Sequence, residues 1–540
     1  MIGRHCVAAL LLCGAPALAL DGPVPPSPDG GVPPTAANPY DLPMSGEVTA
    51  TTAIVQTRVP PGNGSTRGRF TLSTDPRLTH DRERSADTVL GPEVQVSDDR
   101  DRIVRTRFEG LTPNTRYYYR WDAGPEGGPD GRRGTFKTLP GPDSAADVRF
   151  VVAACINYAK FHGSGAIDLA IHKERNNTEL APPAPAAQRA VGYPGLEAIR
   201  DLAPDFVVLT GDTVYYDTPI EGRAKTLPEM RAKWHEQLGQ PRFRDLLAAA
   251  PVFHMKDDHD FRQDDSDNSG DYAPTPAEGI AMFREQLPVV PPGPDMADPA
   301  QVPTYRTVRV NEHLQIWIVE GRDYRSPNAL PDGPGKTIWG EEQYRWLTVG
   351  LKESDAAFKI LISPTPLVGP DDARKSDNHT NFGGFRHERG RFFDFLQENG
   401  LLDGSNGQFV AVCGDLHWQY DATHPSGVRE FSVGALDDTN SRPGRKAGEP
   451  DSTDPDGLIE QRYLMRERTI TPDDGTVGYT ERPPSGGFLL ISTDGRDAPT
   501  APDAPRDDRT GLRLNFTHFD EHGREQYDAW LWAHPPTDDE

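Results

Sequence analysis

DFVVLTGDTVYYD, residues 205 to 217, decides the fold, because an apolar run of strand length leads directly into Asp212 and Tyr215. In open α/β sheets, ligands bind in the crevice beyond the carboxyl ends of the strands. An Asp followed three residues later by a Tyr therefore predicts two hard oxygen ligands at one strand end. Taken alone, a Gly-Asp pair after a strand is usually a turn whose Asp bonds its own backbone.

Three more apolar runs end in clusters of the same kind. RFVVAAC ends at Cys155, PVFHMK continues into DDHD (Asp257 to Asp260), and QFVAVC continues into GDLH (Gly414 to His417). Each cluster has a simpler interpretation, as a solvated acidic loop or a turn with a satisfied His. The three carboxylates of DDHD, however, repel each other unless a cation or solvent compensates. Four such clusters at four strand ends indicate one shared site.

In this order, the clusters resemble those of the PhoD-like alkaline phosphatases, in the calcineurin-like metallophosphoesterase superfamily. The sequences at 318 to 325 (IVEGRDYR), 339 to 347 (WGEEQYRWL) and 361 to 367 (LISPTPL) are similar to further landmarks of that family. The resemblance covers about residues 40 to 500. It implies an α/β (α+β) fold with two stacked mixed β-sheets flanked by helices.

The resemblance and the ligand types together imply a centre of two or more metals. Thiolate, phenolate and imidazole suit Fe³⁺, whereas a neighbouring all-oxygen site suits Ca²⁺ or another hard cation, with other divalent metals as the alternative. We expect six ligands, in chain order: Cys155, Asp212, Tyr215, Asp258, Asp415 and His417. The first metal takes the thiolate, the phenolate and the imidazole, Asp212 lies between both metals, and the other two carboxylates bind the second.

Four further residues are expected to act on the substrate. His259 directly follows a proposed ligand and is placed to protonate the leaving alkoxide as a general acid, with a role as ligand or supporting residue as the alternative. Asn157 is expected to donate a hydrogen bond to the phosphate. Arg322, like Arg325, is expected to hold substrate oxygens by paired contacts, and a surface salt bridge is the alternative for both.

Two positions depart from the family pattern. The fourth residue of DDHD is Asp260, where the family leads us to expect Glu, so the charge is kept but its reach is shorter. The segment KSDNHTNFGGF (Lys375 to Phe385) replaces an aspartate-bearing segment of the family. Within it, Asp377 or His379 is a candidate for a further calcium ligand or a phosphate contact, and an ordinary polar loop is the alternative.

Residues 1 to 20 have the basic start, apolar core and small-residue end of a secretory signal peptide, which predicts a periplasmic or extracellular protein. Arg4 is not followed by a second arginine, so the export route stays open. The mature chain then keeps Cys155 and Cys413. We expect Cys413 to be a buried core residue, with a disulfide between the two as the alternative.

Two structural domains follow the signal peptide. Residues 38 to 140 alternate polar and apolar residues between turn signals, which predicts a small β-sandwich of the fibronectin type III kind. LTPNTRYYYRW (111 to 121) is similar to the tyrosine corner of such a sandwich. Residues 147 to 500 interleave strands with helices and form the predicted metallophosphoesterase domain. In residues 501 to 540, LRLNFTHF and YDAWLWAH are expected to form late strands or a C-terminal extension.

The net charge of −25 over 540 residues disfavours nucleic acid or an anionic membrane as the main partner. After the signal peptide, no apolar run approaches membrane-spanning length. We expect a monomeric, secreted alkaline phosphatase that hydrolyses small phosphate mono- or diesters by attack of metal-activated hydroxide. The alternatives are a narrow-specificity phosphodiesterase, acting on phospholipid headgroups as phospholipase D does or on nucleic-acid ends, and a catalytically decayed surface-binding protein.

Overall fold

The structure is a computed structural model. It describes residues 38–61, 67–78, 88–123, 131–163, 183–290, 302–438, 445–462, 465–470, 477–482, 486–493 and 512–533. The predicted signal peptide, residues 1–20, lies outside the described residues. None of the described helices has the length and apolar composition needed to span a bilayer.

The N-terminal part of the chain forms two antiparallel sheets. The first contains β1 (Met44–Gly46), β2 (Ala53–Arg58) and β6 (Ile103–Phe108), and the second contains β3 (Arg67–Ser73), β4 (Thr88–Leu90), β5 (Val94–Gln95), β7 (Arg116–Ala123) and β8 (Gly134–Lys137). Residues of both sheets share one hydrophobic cluster, in which Phe70 packs edge to face on Trp121. The backbone N–H of Thr112 donates to the hydroxyl of Tyr117 at 2.9 Å, which is the contact of a tyrosine corner. The predicted N-terminal β domain is confirmed.

A six-stranded mixed sheet carries three of the four strand-end motifs. In spatial order its strands are β11 (Val252–His254), β10 (Phe206–Leu209), β9 (Arg149–Ala153), β21 (Phe488–Ser492), β22 (Arg513–Phe519) and β23 (Glu525–Trp532). β9, β10 and β11 are parallel, whereas β21, β22 and β23 pair antiparallel. Within the predicted C-terminal extension at 501–540, β22 and β23 complete the sheet, because β22 pairs with β21 and β23 pairs with β22.

A seven-stranded mixed sheet carries the fourth motif. Its strands, in spatial order, are β12 (Arg306–Arg309), β13 (Leu314–Ile318), β14 (Phe358–Ser363), β15 (Gln408–Cys413), β17 (Arg429–Val433), β16 (Gln419–Thr423) and β18 (Glu460–Arg462). β13, β14, β15 and β17 are parallel. A separate antiparallel pair joins β19 (Met465–Ile470) and β20 (Val477–Arg482).

The described α-helices lie between strands along the chain, from β9 to β15. They are α1 (Tyr158–His162), α2 (Ala186–Val191), α3 (Pro194–Asp201), α4 (Leu227–Leu238), α5 (Pro241–Ala249), α6 (Pro276–Gln286), α7 (Gly340–Glu353) and α8 (Arg386–Glu398). α4 and α6 begin with capping boxes, Thr226 with Glu229 and Thr275 with Glu278, and each has Pro at its start. These signals fix where both helices begin.

The two sheets stack face to face with helices on both outer faces. Alternate residues of a strand point to opposite faces, so Val152 of β9 packs in the cluster between the sheets, whereas Val151 packs in the cluster that includes Trp234 of α4. On the other side, Leu361 of β14 shares a cluster with Phe392 of α8. The predicted architecture of two stacked mixed sheets flanked by helices is therefore confirmed.

Candidate metal centre

The ends of the two sheets meet through backbone hydrogen bonds. The chain after β9 runs parallel to the chain after β17, where Ile156 pairs with Asp437. Leu436 N donates to Ala154 O at 2.8 Å, and Asp437 N donates to Cys155 O at 3.2 Å. The motif of the seven-stranded sheet is therefore brought to the same edge as the motifs of the six-stranded sheet.

Three predicted ligands have left-handed backbone conformations. Cys155 and Asp212 have φ of 54°, and Asp415 has φ of 62°. Such values cost of order 1–3 kcal/mol for non-glycine residues and cluster at functional sites. Gly211, at φ 119°, makes a further tight approach, because a Cβ there would lie 2.6 Å from the Cβ of Asp257. The loops after β10 and β11 thus pack closely enough to share a ligand set.

The ligands predicted for the first metal lie together. The ligating atoms of Cys155, Asp212 and His417 all lie within 4.8 Å of one another. Cys155 Sγ is 3.6 Å from Asp212 Oδ2, and the hydroxyl of Tyr215 is 3.3 Å from the same oxygen. Cys155, Asp212 and Tyr215 are buried. A thiol, a phenol, a carboxylate and an imidazole therefore converge on one point.

Carboxylates extend the centre on the side of Asp258. One of its oxygens lies within 4.8 Å of ligating atoms of Asp212 and His259. Oxygens of Asp258, Asp264 and Asp265 form a second group in which all atoms lie within the same distance of one another. Asp415 belongs to neither group. Its carbonyl oxygen lies 4.0 Å from Cys155 Sγ.

Three carboxylate oxygens of the centre are buried without a hydrogen-bond partner among the described residues. They are Asp212 Oδ1, Asp258 Oδ1 and Asp415 Oδ2. Buried polar atoms in folded proteins are nearly always hydrogen-bonded or bound to an ion. These oxygens therefore fit a site for cations.

The pKa shifts of the predicted ligands also fit a site for cations. Burial, followed by neighbouring carboxylates, raises the pKa values of Cys155, Asp212 and Tyr215 well above their usual ranges. Burial lowers the pKa of His417 to about 4, so its imidazole is neutral and has a lone pair to donate. Bound cations reverse such penalties on acidic groups. The donor set fits a thiolate-binding metal beside a cation bound by oxygen atoms.

His259 lies against the centre and has a carboxylate partner that the sequence analysis missed. Its Nδ1 is 2.8 Å from Asp217 Oδ1, its ring centroid is 4.2 Å from that of Tyr215, and its side chain is 13% exposed. Burial disfavours the imidazolium, but the charges of Asp258 and Asp212 and the bond to Asp217 raise the pKa of His259 well above its usual value. Asp217 closes the same GDTVYYD sequence, so its position after the motif was the available signal.

Two of the other residues predicted to contact substrate, Arg322 and Asn157, are engaged with the protein. Arg322 is buried, and its Nε donates to Asp257 Oδ1 at 2.7 Å while its Nη1 donates to Ser266 O at 2.7 Å. Asn157 caps α1 by accepting from Lys160 N at 3.1 Å, and its Nδ2 donates to Asp438 at 3.3 Å. These contacts indicate that both residues order the loops of the centre. Direct contact of either with a substrate stays a prediction.

Arg325 is engaged in the same way. It is buried, and its Nε donates to Gly321 O at 2.9 Å. Its role toward a substrate likewise stays a prediction.

Asp260 ties two motif loops together despite its shorter side chain. It accepts from Asp257 N at 2.6 Å and from Thr213 N at 3.1 Å, and it is fully buried. Burial raises its pKa to about 7. The carboxylate thus holds the loop after β10 against the loop after β11, which explains why an acidic residue stands here.

The two candidate residues of the segment from Lys375 to Phe385 have different surroundings. Asp377 is buried, neither of its carboxylate oxygens has a hydrogen-bond partner among the described residues, and its charge acts on Asp415. His379 is held elsewhere, with Nε2 at 2.9 Å from Glu388 and its ring against Trp339. Asp377 as a further ligand stays a prediction, whereas the contacts of His379 indicate a core role.

Asp438 is a second residue that sequence reasoning missed. Lys160 Nζ lies 2.6 Å from Asp438 Oδ1, and the same oxygen is 3.7 Å from Nδ1 of His417. Asp438 follows β17 without any motif around it, so the sequence held no signal for it. The free thiol of Cys413 is buried and lies 3.5 Å from the hydroxyl of Tyr420, in agreement with its predicted place in the core.

Comparisons with known proteins show which family the sequence matches. The family model described as PhoD-like phosphatase matches residues 150–477, and that of the PhoD-like phosphatase N-terminal domain matches residues 43–140. Alkaline phosphatase D of Bacillus subtilis (strain 168) is 23% identical over an alignment of 353 positions, and the match covers 58% of this chain and 53% of that protein. The match thus spans about half the length of that relative.

Two solved structures share the fold. A structure of PhoD aligns with a TM-score of 0.63 at 16% identity and covers 93% of this chain and 92% of that chain. A purple acid phosphatase isolated from yellow lupin (Lupinus luteus) seeds aligns with a TM-score of 0.52 at 13% identity and covers 93% of this chain and 77% of that chain. At these identities the two structures show the common fold alone.

Proposed function

Because the chain belongs to the family of PhoD-like phosphatases, we propose that it hydrolyses small phosphate esters at the centre described above. One observation carries the proposal: the strand-end motifs of both sheets place Cys155, Asp212 and His417 within 4.8 Å of one another. A second group around Asp258 adjoins them through the shared Asp212. Two adjoining cation sites with one carboxylate between them suit phosphoryl transfer.

We assign the first site to Fe³⁺ and the second to Ca²⁺. Cys155, Tyr215 and His417 would hold the first, Asp258 and Asp415 the second, and Asp212 both, because thiolate and phenolate favour a Lewis-acidic transition metal and carboxylates a hard cation. When bound, such ions polarise a phosphoryl group and supply a nucleophile from water near neutral pH. The buried, unpartnered oxygens support this assignment.

His259 supplies the proton for the leaving group in this proposal. Asp217 accepts a hydrogen bond from its Nδ1, which orients the ring and leaves Nε2 for proton transfer. A group held in its protonated form beside the reacting phosphate is suited to general acid catalysis, which contributes typically about 10²–10⁴-fold. The contacts of Arg322 and Asp260 hold the loop that presents His259 and Asp258.

We further propose that the protein acts as a monomer in the periplasm or outside the cell. The N-terminal sequence, residues 1–20, supports export because it has the features of a signal peptide. The net charge of −25 supports a small-molecule substrate, since it disfavours large polyanions as partners.

Elemental analysis of the purified protein, combined with parallel hydrolysis of p-nitrophenyl phosphate and its bis ester, tests the proposal. We expect bound metal and hydrolysis of at least one ester. Asp212→Asn should lower both the metal content and the rate, whereas Asp403→Asn, at an exposed position, should change neither. Wild-type protein that binds no metal and hydrolyses neither ester would contradict the proposal and favour a binding protein.

A further inference from the structure

Lys375 places an ammonium group beside the carboxylates of the candidate metal centre. Its Nζ lies 3.1 Å from Asp265 Oδ1, and its side chain is 36% exposed. The backbone N–H of Asp265 donates to Asp258 Oδ2 at 2.6 Å. The ammonium therefore stands next to the loop that carries Asp258, at a position open to solvent.

The charge of Lys375 acts on several motifs. Burial raises the pKa of Asp415, and Lys375 is the largest charge that opposes this increase. The carboxylates of Asp377, Asp415 and Asp265 also attract this ammonium. The positive charge of Lys375 therefore lies among acidic residues of several loops.

Two other cations near the centre are already committed to the protein. Arg322 is buried and bonds Asp257 and the carbonyl of Ser266. Lys160 is 12% exposed and bonds Asp438 at 2.6 Å. Lys375 differs because its partner Asp265 is itself 37% exposed. Ion pairs that are open to solvent contribute little, so the ammonium can exchange partners at small cost.

We propose that Lys375 is a substrate-binding residue whose ammonium leaves Asp265 and bonds a non-bridging oxygen of the phosphoryl group. The inference rests on the proposed hydrolysis of phosphate esters. A monoester is largely a dianion above pH 7, since its second pKa is about 6, whereas a diester is a monoanion. Lys375 therefore favours monoesters over diesters. It does so although the exposed carboxylate of Asp264 also lies beside the centre, near His259.

Kinetics of Lys375→Ala and Lys375→Arg on p-nitrophenyl phosphate and its bis ester test this role, with Lys352→Ala, at an exposed position of α7, as the matched control. For Lys375→Ala we expect kcat/KM for the monoester to fall about 10-fold to 100-fold, as for loss of a hydrogen bond to a charged group. The diester should lose less, inorganic phosphate should inhibit more weakly, and metal content should stay unchanged. Lys375→Arg should retain most of the activity.

Two results would overturn the inference while the wild type is active. One is unchanged kinetics and phosphate inhibition in Lys375→Ala. The other is an equal loss for both esters in step with a loss of metal, which would make Lys375 a support of the metal site. A wild type that hydrolyses neither ester would instead overturn the proposed function, and this inference with it.

Discussion

His259 and Asp217 form a hydrogen-bonded pair at the edge of the metal centre, with 2.8 Å between Nδ1 and Oδ1. The other oxygen of Asp217 accepts from Asp264 N at 2.9 Å, so both oxygens of this carboxylate are held. The pair fixes which imidazole nitrogen binds the carboxylate and which is left to transfer a proton. In the proposed mechanism, proton transfer to the leaving group therefore depends on both residues.

His259→Asn should slow the hydrolysis of simple alkyl phosphates far more than that of p-nitrophenyl phosphate. The reason is that p-nitrophenolate leaves readily without a proton, whereas an alkoxide does not. The loss of rate for the alkyl phosphates should exceed that for p-nitrophenyl phosphate by a factor of about 10²–10⁴, which is the typical contribution of general acid catalysis. An equal loss for both would make His259 a ligand or an orienting residue, and metal analysis of the variant would separate these two roles.

Asp217→Asn should move the alkaline limb of the pH–rate profile to lower pH. Burial opposes protonation of His259, and Asp258, Asp212 and the bond to Asp217 raise its pKa. A general acid works only while protonated, so activity is lost as pH rises through the pKa of His259, and removing one of the charges that raise this pKa brings the loss earlier. Asp271→Asn, at an exposed position, is the control. If the alkaline limb is unchanged, deprotonation of His259 does not cause it.

The sequence predicted the centre where each ligand follows a buried strand within a recognisable motif. Cys155, Asp212 and His417 meet because parallel strands end at one edge of each sheet and the ends of the sheets are bonded together. Asp217 was within reach of the same reasoning. Residues that reach the centre from loops, such as Asp438 and Lys375, have no periodic pattern or motif that sets their position in space.

The place of the C-terminal strands in the sheet could not be predicted from the sequence for a related reason. Residues 513–519 and 525–532 have the composition of strands, and β22 and β23 are indeed strands. β22 pairs with β21, whose other partner β9 lies more than three hundred residues earlier in the chain. Such long-range pairing is decided by packing between the sheets and leaves no local signal in the sequence.

Tyr215→Phe should weaken the visible colour of the iron-loaded protein. Thiolate and phenolate are electron-rich donors, so a ferric ion held by Cys155 and Tyr215 should give a ligand-to-metal charge-transfer band in the visible range. Removing the phenol leaves the thiolate contribution alone, whereas Tyr118→Phe, in β7, should leave the spectrum unchanged. Absorption spectroscopy with iron analysis is the measurement. A colourless, fully active wild type without iron would remove iron from the proposal.

A calcium chelator should abolish hydrolysis and leave most of the fold intact. The hydrophobic clusters that hold the two sheets and their helices together are formed by apolar side chains and do not depend on the carboxylates of the centre. Circular dichroism before and after treatment, followed by readdition of calcium, checks both parts. Full recovery with magnesium but not with calcium would show that the second site has the wrong cation assigned.

His254→Leu should make the protein more resistant to acid. His254 lies in β11, is fully buried, and has neither ring nitrogen bonded to a described residue. Burial, followed by the charge of Arg306, lowers its pKa from 6.5 to about 3. Between these values the unfolded chain binds a proton that the folded chain does not, so stability present above pH 6.5 is lost as pH falls towards 3.

The difference between the two pKa values of His254 corresponds to on the order of 5 kcal/mol of stability at neutral pH relative to pH 3. Removing the imidazole should therefore shift the midpoint of acid unfolding to lower pH, as measured by near-ultraviolet circular dichroism between pH 7 and 3. His387→Leu, at an exposed position, is the matched control and should leave the midpoint of the wild type. If both variants unfold at the wild-type pH, protonation of His254 does not drive acid unfolding.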